Sequence, residues 1–429
     1  MAHIRKAEIT SPITTLASEN TTRITPVAAL VGIGCLVGAW FLSGGNMARF
    51  SHAYLMNFCF FFTITLGCLF FVMVQHLTRA GWSVTVRRIA EIIACGMFPM
   101  FLLFLPILIP VIMGYSGLYS WNVAVPEAEV VKGSEAIGWA VGDPRIYELK
   151  RMYLNSFWFA VRTVAYFVCW TFIAVTLYRW SVRQDETGDP KLSSRMQAFC
   201  APMMLVFVAC LVFASFDWEM SLAPMWFSTM FPVYFFAGSV LSSLAMIMLV
   251  ALLLQRSGRI TDEITVEHYH DLAKLTFAFI FFWGYIAFSQ FMLIWYANFP
   301  EETVWFKFRT SGTWLTVSMI LLFGHLFIPF LGLMARSVRR NRTFLLFASI
   351  YLLILHWVDH FWLVMPQLNA SVFPTYDYNT TLPFMLPALV CLVGMGGIFL
   401  ASFCVVAGKR SLVCTRDPRL HEALNYDNP

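Results

Sequence analysis

Ten apolar runs of about twenty residues divide this chain, near 27–45, 51–76, 88–113, 153–180, 196–216, 227–255, 269–297, 309–335, 343–365 and 382–407. A hydrocarbon layer of about 30 Å is crossed by roughly twenty apolar residues in a helix. Inside that layer each peptide group must find its partner within the chain, so the runs are expected to be helices. With 59% hydrophobic and only 12% charged residues, a soluble core cannot hide the apolar surface. The expected fold is all-α, a polytopic integral membrane protein with ten transmembrane helices. The expected organisation is a polar segment over 1–26, a membrane domain over 27–407 and a polar tail over 408–429.

Lys and Arg set the expected orientation. The segments before the first helix, after the tenth, and in the 2/3, 4/5, 6/7 and 8/9 connections hold 20 of the 29, against 7 in the other five connections. The positive-inside rule then puts both termini and "RSVRRNR" (336–342) in the cytoplasm. The net charge of +5 is accounted for by this bias. Spread over six segments, it makes no basic patch for a nucleic acid. The first 26 residues lack the short apolar core and small-residue cleavage site of a signal peptide, so the first helix is expected to be retained. The cysteines stand singly in apolar runs, as Cys59, Cys68, Cys169, Cys210 and Cys404 do. No CxxC or CxxCH spacing marks a metal, an Fe–S cluster or a c-type haem.

The largest stretch between runs, 114–152, carries Trp121, Glu127, Glu129, Lys132, Glu135, Trp139 and Asp143. On the outer side, mixed charge and aromatics suit a surface for a partner protein, or equally a loop folded over its own helix ends.

Ionisable residues within membrane helices are expensive and mark functional candidates. The densest set is in "LHWVDHFWLVMP" (355–366), where His356, Asp359 and His360 stand at i, i+3 and i+4 on one face. "SFDWEMS" (215–221) places Asp217 and Glu219 at the outer end of the fifth helix, and Arg162 in the fourth is within reach of that level. A quinol gives up protons along with electrons, so imidazoles and carboxylates ringed by Trp and Met fit a quinone site or its proton route. The alternative is structural: carboxylates capping helix ends and histidines satisfied by Asp359. His325, beside Gly324 and Pro329 in the eighth helix, is placed to relay protons at midplane, or to pair with His356 around a b-type haem. At the cytoplasmic ends His76, Glu91 and Lys274 form a thinner group, of the kind that ordinarily snorkels to water.

Three motifs carry a resemblance: "SFDWEMSLAPMWFSTMFPVYFFAG" (215–238), "HWVDHFWLVMP" (356–366) and "RDPRLHEALNYDN" (416–428). Together they resemble the NrfD-like, polysulfide-reductase type of membrane subunit, and within it the ActF-type subunit of bacterial alternative complex III. Where that group carries an acidic residue and a histidine after the D-W-x-M-S stretch, this chain has Ala223 and Met225. The resemblance implies two four-helix bundles, helices 2–5 and 6–9, flanked by helices 1 and 10. It implies a multi-pass inner-membrane subunit of a quinol-oxidising complex, with no tightly bound cofactor of its own and a possible quinone site. The partners implied are a sister NrfD-like membrane subunit, an Fe–S subunit, multihaem cytochrome c subunits and a terminal oxidase or periplasmic cytochrome as acceptor. A secondary transporter is the alternative, since broken helices and buried charges suit one too. The Gly and Pro interruptions here do not recur at matching places in two halves.

Overall fold

Each of the ten runs is a helix in the computed structural model, which describes residues 15–16, 19–115, 117–122, 149–372, 385–408 and 410–428. The helices are α1 (Glu19–Leu42), α2 (Met47–Leu77), α3 (Val84–Ile112), α4 (Ser156–Thr187) and α5 (Lys191–Trp218). They continue with α6 (Phe231–Arg256), α7 (Val266–Ala297), α8 (Gly312–Gly332), α9 (Arg342–Val372) and α10 (Met385–Ala407). All ten are long and apolar enough to cross a bilayer, and no strand occurs among the described residues. Phe172, Phe213, Phe288, Leu331 and Val405 point outward uncovered, as lipid-facing side chains do. This is a multi-pass membrane protein. The charged and aromatic residues expected at a docking surface between 123 and 148 lie outside the described residues.

Helix boundaries move where amphipathic turns extend a run. α4 continues to Thr187 and stops at Gly188, whose φ of +69° suits a residue without Cβ. α3 begins at Val84 and is interrupted between Ala94 and Met97. A short helix, Pro300–Arg309, precedes α8, which begins only at Gly312.

The helices close two rings. α2, α3, α4 and α5 pack in sequence, with α5 returning to α2; α6, α7, α8 and α9 do the same. The rings meet where α2 lies against α6 and α9. α1 and α10 pair on the flank, α10 resting on α2. Lipid offers no hydrophobic drive between helices, so close backbone approach at small residues does this work. A Cβ on Gly67 of α2 would fall 2.0 Å from the Ser239 carbonyl oxygen of α6. In the flanking pair, a Cβ on Gly397 would meet the Ala28 oxygen at 2.6 Å, and one on Gly32 the Gly394 oxygen at 2.7 Å.

Candidate functional site

The seam between the rings holds a line of polar side chains near mid-span. Glu219, just past the end of α5, places Oε1 2.7 Å from His360 Nδ1 on α9. His360 Nε2 lies 3.3 Å from the Thr63 hydroxyl of α2, and His356 Nε2 lies 2.9 Å from that same oxygen. All four residues are buried. The two rings of α9 stand one turn apart, and Thr63 projects between them because α2 crosses α9 here. The Thr63 hydroxyl also lies 2.8 Å from the Cys59 carbonyl. A hydroxyl has one hydrogen and two acceptor lone pairs. If the hydrogen goes to Cys59, both imidazoles donate to Thr63; if it turns to one imidazole, that ring must accept. The line therefore holds its protons in more than one arrangement with the same heavy-atom geometry. Gly238 of α6 leaves the room His356 needs, since a Cβ there would stand 3.3 Å from His356 Cε1.

Asp359 turns the other way, into the second ring. Its carboxylate accepts from the Tyr234 hydroxyl of α6 and from Trp283 Nε1 of α7 at 3.3 Å. The expected triplet is thus divided, with two histidines on the seam and the aspartate inside α6–α9. Trp283 continues the branch: its ring centroid is 4.2 Å from that of His325. His325 is fully buried, and neither ring nitrogen has a hydrogen-bond partner. It sits in a π-helical stretch, Ile320–Phe327, a form that concentrates at functional positions. Pro329 has no N–H to offer the carbonyl five residues back, Gly324; Tyr351 of α9 donates there instead at 3.0 Å.

Asp217 and Glu219, two residues apart, serve different partners. Asp217 takes a bidentate pair from Arg162 of α4, both contacts at 2.8 Å, and the Tyr166 hydroxyl at 2.9 Å. Its side chain is completely buried while that of Arg162 keeps 18% exposure, so the anion is the more deeply placed partner of the pair. A carboxylate so fully matched is a structural anchor holding α5 to α4. Glu219 Oε2, by contrast, has no partner.

At the other end, the three candidates part company. Lys274 is half-exposed and pairs with Asp271 one turn before it, as a snorkelling lysine does. Glu91 is corrected: it does not reach water but is buried between Arg87 and Arg88, 3.1 Å from each. Those arginines also hold Asp417 and Asp185, at 2.6 and 2.5 Å, and come within 3.6 and 3.5 Å of the Cys414 sulfur. Burial pushes the Cys414 thiol up, against the two guanidinium charges, so it is a thiol here. His76 is buried too, against the expectation of a solvated helix end.

The comparison with protein families decides between an isolated bundle and a known lineage. Residues 140–370, more than half the chain, match the family described as "Polysulphide reductase, NrfD". The chain belongs to the NrfD family. NrfD proteins are membrane subunits of respiratory quinone-interacting oxidoreductases and work beside Fe–S and other redox subunits. No curated protein matches the chain. The NrfD match takes in Arg162, Asp217, Glu219, His325, His356, Asp359 and His360, and leaves Thr63 outside it. Within this NrfD fold, sequence reasoning missed Thr63, Tyr234, Trp283 and Tyr166, because a hydroxyl or indole in an apolar run carries no charge signal. It also missed Arg309, counted as a loop charge. That side chain is buried under Trp305, centroid 3.4 Å away, and donates to the Trp362 and Leu363 carbonyls. Pro366, four residues on from Trp362, is the signal: it cannot donate to that carbonyl.

Proposed function

We propose that this chain is the ActF-type membrane subunit of an alternative complex III, and that its seam carries protons coupled to quinol oxidation. The observation that supports this best is the buried line Glu219–His360–Thr63–His356, joining two rings through groups that each exchange a proton. Glu219 holds a proton or its negative charge beside His360. His360 and His356 pass the proton across the Thr63 hydroxyl by swapping which partner donates. Asp359, with Tyr234 and Trp283, offers a second proton-holding position leading toward His325. In this reading both termini are cytoplasmic, the membrane is the bacterial inner membrane, and Glu219 lies toward the periplasm. Fe–S clusters and c-type haems reside in partner subunits, next to a sister subunit of the same fold. Quinone binds at the aromatic-rich end near Trp218 and Trp226, in this subunit or its sister.

The test is the proton-to-electron ratio of the assembled, reconstituted complex. In Asp359→Asn and Glu219→Gln the shape and the hydrogen-bonding oxygen persist and the negative charge is removed, so the ratio falls while assembly holds. A ratio and a turnover both equal to the parent's, in both variants, would leave these residues as packing groups.

A further inference from the structure

Where α2, α3 and α5 end together, a half-open cavity of about 120 Å³ lies beneath the C-terminal segment. One water needs about 10–15 Å³ of such space, so the cavity has room for several. Its lining is unusually cationic: Arg79 follows α2, Arg87 comes from α3 and Arg419 from the C-terminal segment, with Asp417 the one carboxylate among the lining residues. Asp417 is already engaged, 2.6 Å from Arg87, which also binds Glu91. The Arg79 side chain donates to Gln197 and the Arg419 side chain to the Arg79 carbonyl, while the Arg419 backbone N–H donates to Asp417 Oδ1 at 2.9 Å. Among the described residues neither makes an ion pair. Asp417 is the one anion in a lining with three guanidinium groups, so the cavity keeps an excess of positive charge that a bound anion offsets.

Three further features point the same way. His76 lines the cavity, is only 6% exposed, and its Nε2 has no partner. A buried imidazole nitrogen without a partner costs free energy that a ligand oxygen would return. Gln75 beside it also has an unmatched Oε1; turning the amide presents its NH₂ to the cavity. Ser193 and Ser194 come from the first turn of the 28-residue helix α5, where the helix dipole adds partial positive charge. Arg79 is held at φ +52°, a left-handed backbone that a non-glycine residue adopts at a cost. That conformation turns the chain so that Arg79 contributes to the cavity wall.

We propose that this cavity binds a phosphate group, with Arg79 and Arg419 forking its oxygens and His76 Nε2 and a serine hydroxyl completing the shell. Planar guanidinium forks match phosphate geometry, and the polar, compact lining excludes a quinone ring or an acyl chain. The site lies at the ends of three helices long and apolar enough to span a membrane, so the phosphate is that of an anionic phospholipid or of a free phosphate, and the chemistry of recognition is the same.

The full-length chain in detergent separates the two sources. Titration calorimetry with inorganic phosphate reads the free anion. Native mass spectrometry after exposure to phosphatidylglycerol or phosphatidylcholine reads the lipid. The variants are Arg79→Gln with Arg419→Gln, and Arg195→Gln as a control outside the cavity. Phosphate binding that weakens about 100-fold in the double variant, about ten-fold per guanidinium, identifies a free-phosphate site. Selective retention of phosphatidylglycerol, lost in the double variant and kept in Arg195→Gln, identifies a headgroup site. If the parent retains neither, or the double variant binds as the parent does, the proposal is wrong. Should the double variant fail to fold, Arg79→Gln alone, at an exposed side chain, reads the same ten-fold step.

Discussion

Replacing Thr63 by Val isolates the one atom that joins the two histidines. Valine keeps the volume and the β-branch, so no cavity opens and α2 keeps its rotamer preference. What is lost is the oxygen lying 2.9 Å from His356 Nε2 and 3.3 Å from His360 Nε2. The lost backbone contact to Cys59 costs little, since that carbonyl lies within the helix ladder. Two imidazole nitrogens are left facing a methyl group, a loss of about 1–3 kcal/mol in a membrane interior where such bonds are individually modest. That is a few degrees in melting temperature for a chain of this size, with assembly intact. Proton passage suffers far more, because among the described residues no other hydrogen-bonding group is shared by the two imidazoles; a positioned proton-transfer group is worth about 10²–10⁴ in rate. The assay is quinol-driven proton release in proteoliposomes containing the assembled complex, with Thr63→Ser as rescue, since serine restores the hydroxyl. The expectation is a fall of at least about a hundred-fold in Val and near-parent behaviour in Ser. Release in Thr63→Val equal to that in Thr63→Ser and in the parent would refute the relay, whatever the melting temperatures show.

Arg162→Ala leaves the Asp217 carboxylate buried and unpaired, costing about 3–5 kcal/mol and most of the assembled yield; Arg162→Met with Asp217→Asn recovers much of it, measured by size-exclusion chromatography. Single cysteines replacing Glu301 and Ser337 are labelled from opposite sides of intact cells by an impermeant maleimide, Glu301→Cys from outside and Ser337→Cys only after lysis. Labelling of both from one side contradicts the orientation. The isolated chain gives no reduced b-type haem band in its absorption spectrum; a stoichiometric band would make His325 and His356 ligands.

The helices were legible because apolar length is a one-dimensional property: each of ten runs became a helix, with ends extended by amphipathic turns, as in Val84–Ala94, or trimmed by a few residues, as at Phe231 and Gly312. The partition into rings came from the resemblance, and packing bears it out. Charge at i, i+3 and i+4 located His356, Asp359 and His360, but not their destinations. Helix rotation is set by neighbours, and it sends Asp359 to Tyr234 while both histidines meet Thr63. Arg87 and Arg88 counted only toward the topological charge: Glu91, their shared partner, is three or four residues on, but the other two counterions, Asp185 and Asp417, lie about 100 and 330 residues away in sequence. Thr63 had no signal at all: its role exists only because α2 crosses α9.

The glycine seam between α1 and α10 also bears on how the protein is made. Eight spans are made between α1 and α10, its main neighbour. Through the insertion of eight intervening helices, Gly32 faces lipid with nothing to match its shape. α1 must therefore wait in the membrane while eight further helices insert, before its glycine face finds α10. The Thr15–Ser411 bridge lies at the same flank. The seam makes insertion of α10 the event that closes this flank of the fold.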